Sequence, residues 1–270
     1  MKLDDFAWGS RTLIVGILNV TPDSFAGDGL LDADAAVARG EQLASEGADI
    51  IDVGGQSTRP GFEAVSADEE CRRVVSVLAR LASRLPDTPL SVDTTKAAVA
   101  AAAFDAGATI LNDINGLRGD SQLACLAAER DAWVIAMHNQ RARPAATDPV
   151  ETVLAGFCTS LETGARHGVQ RERILLDPGF GFGWRSDENA QILRRLTELR
   201  APGRPLLVGM SRKRMTGEQF GWDVGARFEG SAAVTAIAIA NGADLVRVHD
   251  VAAMSRVARM ADDIVRSVGR

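Results

Sequence analysis

The sequence predicts one (β/α)8 barrel over residues 1–270, with a short N-terminal hairpin at the bottom of the barrel. Three observations predict it. Eight short apolar runs alternate with longer helical patterns. Successive runs begin about 20–40 residues apart, room for a crossover helix each time. No Gly/Pro/Ser-rich linker interrupts the alternation. A doubly wound open sheet is the main alternative. Eight units, and the lack of a GxGxxG turn after the first run, count against it.

The elements follow in order. "FAWGSRT" is expected to form the hairpin, ahead of strand Leu13–Val20. "DADAAVARGEQLASEGA" carries Ala36, Leu43 and Ala44 on one helical stripe, and Gly47 is its expected C-cap. Strands Asp49–Gly55 and Pro89–Thr94 come next. "TKAAVAAAAFDAGA" is almost all strong helix formers and stops at Gly107. Strands Thr109–Ile114, Trp133–His138, Ile174–Gly179, Pro205–Ser211 and Asp244–Asp250 complete the set. Several are Ile/Val/Leu runs without strict alternation, as strands covered on both faces should be. The last helix, Val251–Val268, has Met254, Val257, Ala261, Ile264 and Val268 at helical spacing. The dipeptide "GA" recurs before strands at Gly47, Gly107 and Gly242, which predicts one helix-to-strand connection used repeatedly.

Apolar residues at 46% and charged residues at 24% suit a globular protein with a sizeable core. A net charge of −6 provides no overall field for nucleic acid or an anionic membrane. Cys71, Cys125 and Cys158 are odd in number and lack metal-ligand spacing, as reduced cytoplasmic thiols would. No apolar run reaches a membrane span, and "MKLDDFAWGS" lacks a secretory core. The glycosylation triplet at Asn19 is read as chance, because Pro22 follows and no export signal precedes it.

Every predicted strand turns polar at its C-terminal end. The residues are Asn19; Asp52 with Gln56, Ser57, Thr58 and Arg59; Asp93; Asn112 and Asp113; His138; Asp177; Ser211, Arg212, Lys213 and Arg214; and Arg247, His249 and Asp250. Any one of these alone reads as a cap or turn residue, Asp113 and Asp250 as caps and Asp52 as an ion-pair partner. Eight such ends on one barrel rim predict a polar ligand site. Arg59, Lys213, Arg247 and His249 suit phosphate. An Asp accepting from an amino group and a neighbouring ring N–H suits a flat nitrogen heterocycle. Phe180 and Phe182 would cover a flat ring or anchor their loop. No His/Cys cluster indicates zinc; Asn19 together with phosphate oxygens would hold Mg²⁺. A Schiff base on Lys213, its pKa lowered by two Arg neighbours, stays open as another chemistry.

The segments "GILNVTPDSF", "DVGGQSTRPG", "SVDT", "NDINGL", "MH", "LDPGFGFG", "LLVGMSRKR" and "RVHDV" occur in that order. With them, the chain closely resembles the dihydropteroate synthases from Leu13 to about Ala253. The resemblance implies condensation of 6-hydroxymethyl-7,8-dihydropterin diphosphate with 4-aminobenzoate, giving 7,8-dihydropteroate and diphosphate in folate synthesis. It implies a pterin pocket of Asp93, Asn112, Met137, Asp177 and Lys213. It implies diphosphate contacts from Asn19, Arg59, Arg247 and His249, with Mg²⁺ at Asn19. Thr58, Arg59, Pro60, Phe180, Lys213 and Arg214 would border 4-aminobenzoate, and Asp93, Lys213, Arg247 and His249 would carry catalysis. It also implies a homodimer, for which Glu229–Asn241 and the final helix would supply a surface. Four departures stand out: Gln56 for the usual Glu, "SFAGDG" moving an acid to Asp28, Trp184-Arg185 where Lys is common, and Arg214 where Ser is frequent. A pterin-binding paralogue with drifted loops is the alternative; a pterin-binding methyltransferase lacks the full "STRPG" and "SRK" set, and a Lys213 aldolase would need trappable adducts.

Overall fold

The computed structural model describes residues 3–21, 33–56, 65–141, 143–145, 147–217, 221, 223 and 227–266. Eight parallel strands form one sheet: β1 Leu13–Asn19, β2 Ile50–Gly54, β3 Leu90–Asp93, β4 Ile110–Asp113, β5 Trp133–Met137, β6 Ile174–Asp177, β7 Leu207–Val208 and β8 Leu245–Val248. Each lies inside its expected bounds. The ladder runs β6-β5-β4-β3-β2-β1-β8-β7, and a parallel bridge between Leu176 and Leu206 closes β6 onto β7. Closure removes the open edges of a doubly wound sheet.

Eight α-helices alternate with the strands among the described residues: α1 Ala33–Ser45, α2 Ala67–Arg84, α3 Ala97–Asp105, α4 Ser121–Glu129, α5 Pro149–Arg166, α6 Ser186–Arg194, α7 Phe228–Ala240 and α8 Val251–Arg266. Their starts are chemically marked. The Ser66 hydroxyl accepts from Glu69 N ahead of α2, and Asp148 accepts from Val150 N ahead of α5 with Pro149 in its first turn. Their ends reuse the "GA" connection. Gly47, Gly107 and Gly242 are left-handed, at φ +104°, +105° and +96°. The following alanine N–H then reaches back to Leu43, Ala103 or Ala238 O.

Strand alternation is strict in three dimensions although the sequence hides it. One parity (Ile14, Leu18, Ile51, Val53, Val92, Leu111) packs outward under the helices. The other (Leu13, Val15, Ile50, Ile110, Ile135, Leu175) fills the barrel. Both faces are dry, so both are apolar.

The N-terminal expectation is corrected. Leu3–Asp5 is a 3-10 turn followed by a turn and a bend, and no hairpin is present among the described residues. Leu3, Phe6 and Trp8 instead insert as a plug against Leu13, Trp133 and Leu245 at the strands' N-terminal end. Phe6 and Trp8 pack edge to face, with ring centroids 5.0 Å apart. Plugging needs apolar rings and not a ladder, because the closed barrel offers no free edge to pair with. Along the α8 stripe, Met254 and Ala261 are buried and Ile264 is 69% exposed. Val268 lies outside the described residues.

Helix α5 approaches β5 at Gly156, where a Cβ would overlap His138 Nδ1. Alanine normally gains about 1 kcal/mol over glycine inside a helix. Here Gly156→Ala is expected to destabilise by about 1–3 kcal/mol instead, through overpacking. A raised or unchanged urea midpoint would contradict this.

Candidate active site at the strand C-termini

The inward parity that begins with Ile50, Ile110, Ile135, Leu175 and Leu245 continues two residues on to Asp52, Asn112, Met137, Asp177 and Arg247. Asn19 and Asp93 share it on β1 and β3, where Asn19 is in register with Gly54 and Gly54 with Asp93. The apolar barrel therefore ends in a polar layer at its C-terminal mouth. Two inward positions in this layer have no side chain. A Cβ at Gly54 would lie 3.8 Å from Asn19 Oδ1 and 3.9 Å from Asp93 Oδ2. One at Gly209 would lie 3.7 Å from Arg247 Cβ and 3.9 Å from Lys213 Nζ. These glycines leave space beside Asn19 and Asp93 at one position and beside Arg247 and Lys213 at the other.

Arg247 ties the layer together. Its Nε donates to Asp52 Oδ2 at 2.7 Å and its Nη2 to Asp93 Oδ2 at 2.9 Å. Asn112 Nδ2 donates to the same Asp52 oxygen at 3.0 Å. Asp52 is thus the ion-pair partner expected from sequence. Burial pushes Asp93 up to about 7, with Arg247 pulling it back down. Burial also raises Asp177, opposed by Lys213 and by Gly179 N donating to Oδ1 at 2.8 Å.

Lys213 arrives from the β7 loop. Arg212 before it is left-handed at φ +57°, an uncommon conformation for a side chain. That turn is held by Arg212 N donating to Ser231 Oγ and by the Arg212 guanidinium spanning both oxygens of Asp250. Asp250 is engaged this way rather than as a side-chain cap, whereas Asp113 does cap, accepting from Asn115 N and Leu117 N. Lys213 Nζ donates to Phe180 O at 2.5 Å and sits 4.7 Å from the Phe182 ring centroid. Burial lowers it to about 8. Ser211 Oγ accepts from His249 N at 3.3 Å and lies 3.1 Å from its Nδ1. If the hydroxyl proton goes to Nδ1, the Nε2 proton is left for an anion.

The "GFGFG" loop separates its two aromatic rings. Gly179, Gly181 and Gly183 are all left-handed. A Cβ at Gly179 would overlap His138 O, and one at Gly181 would come within 3.0 Å of Lys213 Cδ. The Phe180 ring is fully buried in the outer core, so it cannot border a substrate as expected; its carbonyl holds Lys213 instead. Phe182 is 9% exposed, lies outside both core clusters, and is flanked by Lys213 and by Arg141, whose Cζ is 4.4 Å from the ring centroid.

Of the departures, Gln56 makes a hydrogen bond where a Glu could make an ion pair. Its Oε1 accepts from Lys96 Nζ at 2.7 Å, and Lys96 also pairs with the buried Glu70. Trp184 stacks on His138 in the core, and Arg185 pairs with Asp187 and Glu188 on the surface. Asp28, Thr58, Arg59 and Pro60 lie outside the described residues, as does the Arg214 side chain. Arg141 and Lys96 were not anticipated; a lone loop cation carries no periodic signal. Among the described residues no group of three His, Cys, Asp or Glu is placed to hold a metal, and no helix is long and apolar enough to cross a membrane. An open groove of about 1140 Å³ does run beside α8, lined by Thr12, Asp49 and Asp262. It lies at the strands' N-terminal end, away from this cluster.

Known proteins share this fold and much of this sequence. The profile of the "Pterin binding enzyme" family matches residues 15–249. The dihydropteroate synthase of Bacillus subtilis (strain 168) is 40% identical, covering 99% of this chain and 94% of that protein. That of Clostridium beijerinckii is 43% identical, with 97% of each covered. A Clostridium difficile dihydropteroate synthase crystallised with pteroic acid superposes with a TM-score of 0.93 at 45% identity, covering 97% of this chain and all of that one. The Xanthomonas albilineans enzyme with 7,8-dihydropteroate gives 0.88 at 39% identity, covering 97% and 96%.

Proposed function

The chain belongs to the pterin-binding enzymes and is a dihydropteroate synthase, and we propose from that premise how its own rim residues divide the work. The carrying observation is the convergence of Asp93, Asn112, Asp177, Lys213 and Arg247 around the side-chain-free positions Gly54 and Gly209. The pterin lies there. Asp177 accepts from its amino group and ring N–H, and Asn112, Asp93 and Met137 complete the pocket. Lys213, with one proton committed to Phe180 O, directs the others at the pterin.

The reaction breaks the C–O bond between the pterin methylene and diphosphate and forms a C–N bond from 4-aminobenzoate. The leaving oxygen keeps the bonding electrons, and the amine nitrogen then gives up a proton. Asn19, Arg59, Arg247 and His249 hold the departing diphosphate. Asn19 Oδ1, at the Gly54 cradle, fits as one hard oxygen ligand for Mg²⁺, with substrate phosphates and waters supplying the rest. When bound, Mg²⁺ neutralises diphosphate charge. An aniline is already unprotonated near neutral pH, so these residues position it and need no strong base. Phe182, Lys213, Thr58, Arg59, Pro60 and Arg214 border it.

The test mixes purified protein, Mg²⁺, the pterin diphosphate and 4-aminobenzoate and measures dihydropteroate. Pterin binding without product would return the chain to a binding paralogue. The two shifted groups set a pH window. Below about 7 Asp93 gains a proton and loses acceptor capacity; above about 8 Lys213 loses its proton and a donor. Affinity for phosphate-free 6-hydroxymethyl-7,8-dihydropterin is therefore expected to peak between them and fall on both sides. Asp93→Asn should move the acid limb to lower pH, leaving the one set by Asp177, and a limb that does not move would refute the assignment to Asp93.

Exposed Phe228, Ile237, Met260, Ile264 and Val265 support a homodimer through α7 and α8. The free cysteines support a cytoplasmic setting.

A further inference from the structure

The loop after β6 is packed between two neighbours. On one side lies the turn after β5. A Cβ at Gly179 would overlap His138 O, and one at Gly183 would come within 2.6 Å of the Gln140 carbonyl carbon. On the other side lies Lys213, whose Cδ a Cβ at Gly181 would approach to 3.0 Å. The β6 loop also gives Lys213 its carbonyl partner, Phe180 O. Whatever fixes the β5 turn therefore backs the face that meets the ammonium.

Two buried side chains outside the pocket fix that turn. Gln140 Nε2 donates to Pro144 O at 2.8 Å, and Gln140 N donates to Phe182 O at 3.0 Å. A carbonyl only accepts, so the Gln140 amide nitrogen faces Pro144 and its oxygen faces His138, 3.0 Å from the ring Nε2. The ring proton is therefore on Nε2, and Nδ1 is bare. Nδ1 lies against Gly156 with no hydrogen-bond partner, and the ring stacks on Trp184. Burial pushes this imidazole down to about 4; Arg118 and Arg143 add to that, and the Gln140 hydrogen bond opposes it. One neutral tautomer thus sets one amide orientation. We propose that His138 and Gln140 are positioning residues for Lys213: the ring sets the amide, the amide closes the β5 turn, and the turn holds the β6 loop with Phe180 O on the ammonium. The consequence for turnover rests on the reading that Lys213 meets the pterin.

The test reads the titration of Lys213 directly. The chain has three lysines, Lys2, Lys96 and Lys213, so carbon-13 lysine labelling of the full chain gives few resonances, and Lys213→Arg identifies the one required. Calorimetry measures affinity for 6-hydroxymethyl-7,8-dihydropterin in parallel. Burial places the wild-type midpoint at about 8. Gln140→Leu is expected to move it up toward the ordinary lysine value, because the slackened loop admits water. Pterin affinity should fall about tenfold, the size of one lost charge-assisted hydrogen bond. The charges that face Lys213, on Asp177, Arg247, Arg141 and Asp93, are unchanged in this variant, so the shift reports burial. His138→Phe keeps a ring on Trp184 but loses the donor. It should act as Gln140→Leu does, and the double variant should be no worse than Gln140→Leu alone. His138→Gln, whose amide nitrogen takes the place of Nε2, recovers most of the loss. A midpoint that stays or falls in Gln140→Leu overturns the proposal, even with a lower melting temperature, since a merely structural role would give that. Additive losses in the double variant would show that His138 does not act through Gln140 and overturn it too. A midpoint that rises while pterin affinity holds supports the staple and sinks the reading of Lys213 as a pterin donor.

Discussion

Replacing Lys213 with alanine is expected to lower kcat/KM for dihydropteroate formation by roughly 10²–10³-fold, with pterin affinity lost in parallel. The ammonium lies between Phe180 O and the Phe182 ring and is a charge partner of Asp177. Removing it deletes a buried donor and leaves Asp177 with less countercharge. Together these are worth about 3–4 kcal/mol of transition-state binding. Asp177 is already raised by burial, and Lys213 is the largest influence pulling it down. In the variant its carboxyl rises further, so residual pterin binding weakens further as pH falls. Lys213→Arg should recover little, because a planar fork does not fit a site shaped for one Nζ between a carbonyl and a ring. Calorimetric titration of pterin decides the matter. Affinity within a few-fold of wild type in Lys213→Ala would remove Lys213 from the pocket.

Arg247→Ala is expected to cost both activity and fold stability. From sequence, loss of this residue should mainly weaken diphosphate binding. The structure adds a second burden, since the guanidinium is also the countercharge of two buried carboxylates, Asp52 and Asp93. Leaving them without it costs about 3–5 kcal/mol, the usual penalty for breaking a buried pair from one side. For a chain of this length that corresponds to a melting temperature lower by about 10 °C. The effects should be non-additive. Adding Asp52→Asn to Arg247→Ala removes one stranded charge and is expected to restore part of the thermal loss. It should restore none of the turnover, because the diphosphate still lacks its guanidinium. Equal melting temperatures for the single and double variants would show that Asp52 is not held by Arg247.

Much of the site could be read from the chain because barrel geometry converts a one-dimensional rule into convergence. A polar residue at each strand end is visible in the sequence, and closure gathers those ends on one rim. Asp93, Asn112, Asp177 and Arg247 needed nothing more. Asp113 as a turn cap was equally legible, its partners being two and four residues away. The two phenylalanines were not separable. Phe180 and Phe182 are two residues apart, but left-handed glycines break strand parity between them, so one ring enters the outer core and the other faces Lys213. Arg141 had no signal at all, because its neighbours Phe182 and Gly183 lie on another loop.

The amino-acid order by itself determined the number of β/α units, the glycine-closed helix ends, the single polar rim and the reaction family its motifs resemble. These depend on local periodicity, on turn chemistry and on short motifs. Only the folded chain decided that Arg247 bridges Asp52 and Asp93, that an apolar plug rather than a hairpin seals the lower end, and that Ile264 faces outward. The physical reason is the stagger between strands. Which inward residues meet across the barrel depends on strand register, and register is set by packing between segments far apart in the chain.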